Sequence, residues 1–383
     1  MNVQIRQKGR HMSLQEVYQL YEQIREHMGC LGHWQALTLA LYSMGVVVAE
    51  KCIPSKVSEK CGVFGKPETV QRRLERWLDN ERLVWSVCCR AWSRWVLSRY
   101  AGEQVILLVD ETKIGHQLSV MVVALAYRGA SIPLVYWCYH PKLWPEGGQV
   151  GLINTLLSWV AETLPDGCVP LLEVDRGIGT SPDLVRSVMA LGWHFLFRIQ
   201  RQTKVRLGGQ ERTLAHLVTA PGQHWTGHGQ VFKKAGWIDV TIHIIWEIGY
   251  KESWILITNA PPAQTQQGWL YAIRYWQEAS FRDLKSDGWH WHEARIFTPA
   301  HANRLILVLI LAYAWMLTVG SYAFDNPDLF RYVAKPSDKP FALFRLGLRL
   351  FNHLRDALDA DFTPIPPHLF FSDPPPLSIS VGA

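Results

Sequence analysis

The sequence predicts an α/β protein in three parts: an all-α N-terminal region, a mixed-sheet core, and a β-rich insertion inside that core. Three observations carry this reading. Apolar and basic residues recur at helical spacing through residues 14–100, the pattern turns to continuous apolar runs and period-two alternation at Gln104, and short strands broken by glycine fill 201–260. With 383 residues, 48% of them hydrophobic and 19% charged, the chain can bury a substantial core, which excludes wholesale disorder.

The elements follow in order. SLQEVYQLYEQIREHM, opening with Ser13 as a cap, and TVQRRLERWLDNERLVWSVCCRAWSRWVLSRY read as helices, with the turn GVFGKPE between them. VILLV (105–109) reads as a buried strand, and 118–129 with 131–140 as a hairpin around Gly129. A helix (151–164), a buried strand VPLLEV (169–174), a Ser-capped helix (181–192) and a strand (193–200) come next. Together with a helix at 268–286, this order is ribonuclease H-like: an antiparallel meander joined to parallel strands through crossover helices. The chain accordingly divides into a helical basic region (1–100), the first part of the core (101–200), the β-rich insertion (201–260), the end of the core (261–325), and a C-terminal helix (341–360) with a Pro-rich tail (326–383 in all).

Charge is distributed unevenly. The net charge is +6, and residues 1–100 hold 15 Lys/Arg against 9 Asp/Glu, so the whole basic excess lies in the N-terminal quarter. Such a region faces a polyanion, and Arg72, Arg73 and Arg76, followed by Arg82, Arg90 and Arg94, are its candidate DNA contacts. The interleaved Trp77, Trp85, Trp92 and Trp95 read mostly as core. The seven cysteines form no C-x2-C pair and no zinc-finger spacing, and read as reduced thiols of a cytoplasmic protein. The basic N-terminus lacks a following apolar h-region, so no signal peptide is expected, and Leu305–Val319 is shorter than the roughly 20 residues a bilayer needs and reads as a core helix.

Two carboxylates stand at ends of predicted buried strands: Asp110 after VILLV and Asp175 after VPLLEV. A single strand-ending Asp commonly just caps a turn. Two on neighbouring strands repel unless a cation or proton lies between them, and the carboxyl edge of an open α/β sheet is where ligands bind. Farther on, Tyr271, Arg274, Glu278 and Lys285 fall at i, i+3, i+7 and i+14, one face of a helix. An ion-pair ladder accounts for Arg274 with Glu278, but not for Tyr271 or Lys285. A guanidinium, an ammonium and a hydroxyl flanking an acid suit a phosphate backbone held beside a metal-binding carboxylate. In GWHWHEARI, His290 and His292 show no matching third and fourth ligand and are read as structural or DNA-contact residues.

At these residues the chain resembles the bacterial insertion-sequence DDE transposases of the IS-four type, whose Y-x2-R-x3-E-x6-K signature is met by Tyr271, Arg274, Glu278 and Lys285 without a change in spacing. VDET around Asp110 and VDRGIG around Asp175 are similar to its two acidic blocks, and the strand-rich stretch falls where that family has its insertion. The resemblance covers roughly 100–320. It implies a catalytic triad Asp110, Asp175 and Glu278 holding two Mg²⁺ or Mn²⁺ ions, hydrolytic nicking at the ends of a mobile element, and attack of the freed 3′-hydroxyl on target DNA. It also implies double-stranded DNA as partner, at terminal inverted repeats and target, a homodimer on DNA, and no membrane. Tyr271, Arg274 and Lys285 would hold phosphates, and Trp246, Tyr250 or Trp254 could stack a flipped base. Two alternatives stay open: a catalytically inactive DNA-binding regulator, and a metal-dependent endonuclease suggested by the E-x-K tripeptide Glu111-Thr112-Lys113, against which stands a strand expected to end before it.

Overall fold

The computed structural model describes Met12, residues 14–334 and residues 343–356. Helices α1 (Leu14–His27), α2 (His33–Ala49), α3 (Pro54–Ser58), α4 (Pro67–Asp79) and α5 (Trp85–Leu97) precede the sheet. The expected cap Ser13 and the Pro-rich tail lie outside the described residues. Strands β1 (Gln104–Ile114), β2 (Leu118–Tyr127) and β3 (Ala130–Tyr139) form an antiparallel meander. Its β2–β3 turn is tight because Arg128 (φ 46°) and Gly129 (φ 84°) both take left-handed backbone, the geometry that matches strand twist. Helix α6 (Gly148–Ala161), β4 (Val169–Val174), the single turn α7 (Arg176–Gly179), α8 (Pro182–Ala190) and β5 (His194–Arg198) follow. Strand β4 lies parallel to β1 and to β5.

The strand-rich segment supplies β6 (Lys204–Leu207), β7 (Gln210–Thr213), β8 (Gln223–Val231), β9 (Ile238–Trp246) and β10 (Trp254–Thr258). It continues the same sheet. Ten strands run in the order β3-β2-β1-β4-β5-β10-β9-β8-β6-β7, with β10 antiparallel to β5. The protein is thus mixed α/β on one large sheet.

After the sheet, the stretch predicted as one helix over 268–286 is three pieces: a 3-10 segment Gln266–Arg274 kinked at Gln267 and Gly268, the α-helix α9 (Tyr275–Arg282), and a π-turn Asp283–Asp287. Helix α10 (Pro299–Asp325) starts on Pro299, where the missing N–H is no loss. It is long and apolar enough to cross a membrane, yet 94% of its most apolar window is buried inside the protein. Each fully buried Leu, Ile or Val there contributes about 1.5–3 kcal/mol. Helices α11 (Pro327–Val333) and α12 (Leu343–Asp356) close the fold, α12 lying against α10.

The basic N-terminal helices also pack on α10. Ser43 donates to the Val308 carbonyl at 3.1 Å, the Trp77 indole to the Arg304 carbonyl at 3.3 Å, and Arg304 donates back to the Leu78 carbonyl at 2.6 Å. One hydrophobic core runs from α1 through α10 to α12, with Trp77, Trp92, Trp95, Trp289 and Trp315 inside it. A smaller core lies on the other face of the sheet. There Ile106, Leu108, Leu171, Leu196 and Leu256 meet Leu270, Tyr271 and Ile273 of the 3-10 segment.

Candidate active site

The smaller core sets the site, because strand alternation places its residues on one face with the acids that follow them. Ile106, Leu108 and Asp110 share a face of β1, and Leu171, Glu173 and Asp175 share a face of β4 and its end. The parallel β1–β4 ladder ends at Val109 opposite Val174, so Asp110 and Asp175 are the next residues on adjacent chains. Strands in a ladder lie about 4.8 Å apart, which forces the two carboxylates into one another's field. The 3-10 segment and α9 cross over this point.

Asp110 does not end its strand. β1 runs on to Ile114, paired with β2 as far as Leu118, because the antiparallel ladder outlasts the parallel one. The E-x-K tripeptide is therefore on a strand after all, and that argument against an endonuclease falls. Alternation supplies a different one: Glu111 is on the opposite face of β1 from Asp110, so the two acids do not converge.

Asp110 Oδ1 accepts its neighbour's backbone N–H at 2.9 Å, and Oδ2 lies 3.1 Å from Arg274 Nη1. Asp175 caps the α7 turn, Oδ1 accepting from the Ile178 N–H at 3.0 Å. The turn reading of Asp175 is thus correct for one of its oxygens. Arg274 Nη2 reaches Glu278 Oε1 at 2.5 Å, so a single guanidinium joins Asp110 to Glu278. Burial pushes the Asp110 carboxyl up to about 6, with Arg274 opposing and the charge on Asp175 adding to the rise. Burial works against the charge on Arg274, but Tyr271, Asp110, Glu278 and Asp175 more than offset it and hold its pKa above the ordinary value.

Of the other signature residues, Tyr271 is buried, its ring edge-on to Trp254 with centroids 5.3 Å apart. Burial raises its hydroxyl well above the usual range, with Arg274 and Arg198 opposing. Lys285 sits on the π-turn with Nζ 3.5 Å from the Lys113 carbonyl, and burial lowers its pKa while Asp110 opposes. Asp175, Arg176, Gly177, Arg198, Gln200, Tyr271, Arg274 and Tyr275 line a cleft of about 400 Å³. Three arginines beside a carboxylate suit a phosphodiester.

The expected base-stacking residues have unequal freedom. The Trp246 ring lies under Arg201 at 5.2 Å and its indole donates to the Tyr250 carbonyl at 2.9 Å, while Trp254 is held against Tyr271. Tyr250 is 57% exposed. In the N-terminal helices, Arg72 and Arg76 are exposed, whereas Arg73 is half-buried and donates through Nε to Thr38 Oγ1 at 2.9 Å. Arg73 and Arg76 line a shallow cleft of about 230 Å³ with Trp34, which is 71% exposed.

Sequence reasoning missed Glu173. It is fully buried beneath the site, with both carboxylate oxygens unpaired, and burial drives its pKa far up against the opposing charge of Arg274. The signal was an acid inside the apolar run VPLLEV, two residues before Asp175 and hence on its face. Arg198 and Tyr275 of the cleft carried no such signal.

The donors fit hard divalent cations. They are carboxylate oxygens only, each Asp has one oxygen fixed by a backbone N–H, and Asp110 is raised by burial first and by the charge of Asp175 second, both of which a cation would offset. No curated protein matches the chain. Residues 148–315, a span that includes Asp175 and the whole Tyr271–Lys285 signature but not Asp110, match the family model described as the transposase DDE domain, and this supports a DDE transposase.

Proposed function

We propose that this protein is a DDE transposase of the IS-four type that cleaves DNA at the terminal inverted repeats of an insertion sequence and joins the freed end to target DNA. The observation that carries the reading is the meeting of Asp110 and Asp175 at the end of the β1–β4 ladder with Glu278 joined to Asp110 through Arg274. The strand order β3-β2-β1-β4-β5 supports a ribonuclease H-like core, with the remaining strands as its insertion. The family match supports transposition-related DNA cleavage.

In this reading Asp110, Asp175 and Glu278 hold two Mg²⁺ or Mn²⁺ ions, which when bound activate the attacking oxygen and stabilise the leaving one. The chain's own residues orient the strand. Arg176, Arg198 and Arg274 bind phosphates along the cleft, Tyr271 fixes the backbone of the 3-10 segment against β10, and Lys285 reaches the phosphate next to the cut. Arg274, paired with Asp110 and Glu278 and lining the cleft, would be the guanidinium nearest a phosphate held beside these carboxylates. Tyr250, 57% exposed with its ring edge-on to Trp254 at 6.5 Å, offers the most accessible ring for a displaced base, and Arg72 and Arg76 bring in duplex DNA without metal. A dimer on DNA and a bacterial cytoplasmic setting belong to the same proposal.

The test is incubation of the protein with Mg²⁺ and labelled DNA bearing its own element's terminal repeats. Cleavage at the repeat boundary supports the proposal, cleavage elsewhere indicates an endonuclease, and binding without cleavage indicates a regulator.

A further inference from the structure

Past the π-turn the chain reads Gly288-Trp289-His290-Trp291-His292-Glu293. Trp289 and Trp291 are buried, while the side chains of His290 and His292 are 33% and 50% exposed. The third ligand that sequence reasoning found missing is the next residue. Glu293 Oε1 lies 3.1 Å from His290 Nδ1 and 4.0 Å from His292 Nε2, and the ligand atoms of all three residues are within 4.8 Å of one another.

A surface ion pair is the plain alternative, and it accounts for His290 and for Lys51, whose Nζ lies 2.7 Å from Glu293 Oε2. It accounts for His292 only where that ring is protonated. Nδ1 of that ring is 2.7 Å from the Lys285 carbonyl, and a carbonyl only accepts, so Nδ1 carries the proton. In the neutral ring Nε2 is an acceptor 4.0 Å from the acceptor Glu293 Oε1, a separation that a cation bound to both atoms would bridge. A carbonyl that fixes the tautomer is also the usual outer partner of a metal-bound imidazole.

We propose that His290 Nδ1, His292 Nε2 and Glu293 Oε1 form a Zn²⁺ site separate from the three-carboxylate site. Two imidazoles and one carboxylate suit Zn²⁺, whereas Mg²⁺ prefers oxygen donors, and a water completes the fourth position. Lys51 does not compete, because it holds Oε2 and leaves Oε1 to coordinate. The site is structural. It ties the turn carrying Lys285 to the N-terminal helices through the Lys51–Glu293 pair and through the Cys52 N–H, which donates to the Trp289 carbonyl at 3.0 Å.

The experiment is calorimetric titration of the full chain, stripped by chelation, with Zn²⁺ in the presence of excess Mg²⁺. One Zn²⁺ per chain is expected, with affinity reduced about tenfold or more in His292→Ala and in His290→Ala and unchanged in Asp110→Asn. No saturable Zn²⁺ binding, equal binding in His292→Ala, or loss confined to Asp110→Asn would overturn the proposal. Should His292→Ala not fold by circular dichroism, Glu293→Gln decides, since its amide oxygen can still accept from Lys51. Co²⁺ bound to the native chain should show tetrahedral visible absorption that Glu293→Gln lacks, and retention of that band would sink the assignment.

Discussion

Arg274 stands between Asp110 and Glu278, 3.1 Å from one carboxylate and 2.5 Å from the other, and so fills with a fixed charge the place where the family resemblance puts cations. The pairing is partly buried: Arg274 is 13% exposed and Asp110 17%, against 46% for Glu278. The Arg274–Asp110 half therefore carries most of its worth.

Arg274→Ala should destabilise the metal-free protein by about 1–3 kcal/mol, because Asp110 is left half-buried beside Asp175 without its hydrogen-bonded counter-charge. Thermal unfolding should show the loss, and Mg²⁺ or Mn²⁺ should restore part of it. The same variant should bind a cut DNA end more weakly and with a reduced salt slope. An unchanged salt slope means that Arg274 makes no phosphate contact.

Glycines govern the crossing of α10 and α12. A Cβ on Gly320 would collide with the Leu343 carbonyl, and one on Gly347 with the Met316 carbonyl. Both obstacles are backbone and cannot rotate away. Gly320→Ala or Gly347→Ala should cost at least about 1–3 kcal/mol in a urea melt, as overpacked cores do. A midpoint equal to that of the native chain would show that the helices part freely.

His243 should make stability depend on pH. It is fully buried, its ring nitrogens 3.0 Å from Thr226 Oγ1 and 3.1 Å from Thr265 Oγ1, and burial pushes its pKa down to about 4. The unfolded ring titrates near 6.5. Its stabilising contribution is therefore complete above about 6.5 and lost as pH falls toward 4, by about 3 kcal/mol in all. The stability gap between the native chain and His243→Gln should shrink through that window. A constant gap would show that the ring does not titrate with unfolding.

Much of the fold was legible because hydrophobic pattern and strand length agree. VPLLEV is β4 at both ends, and Ser181 caps α8, accepting from the Leu184 N–H at 3.3 Å. What escaped was set by tertiary pairing. β1 overran its apolar run because β2 pairs with the polar DETK segment, and QERT became β7 only through its partner β6. The helix over 268–286 is kinked at its start, where Gln267 and Gly268 take left-handed backbone and a Cβ on Gly268 would meet His243 Cβ at 2.9 Å, a contact invisible to periodicity. For the site, spacing within the signature brought Arg274 to Glu278, but nothing local revealed that the same guanidinium also holds Asp110, 164 positions earlier.

Strand cleavage by Glu278→Gln is the most direct test of the proposed triad. The exposed carboxylate makes no contact that the core depends on, so the variant should fold and bind repeat-bearing DNA like the native chain. With Mg²⁺ present, the native chain is expected to cut at the repeat boundary and Glu278→Gln to give no detectable product. Native-level cleavage by Glu278→Gln, or loss of DNA binding in step with loss of cleavage, would contradict a three-carboxylate metal site.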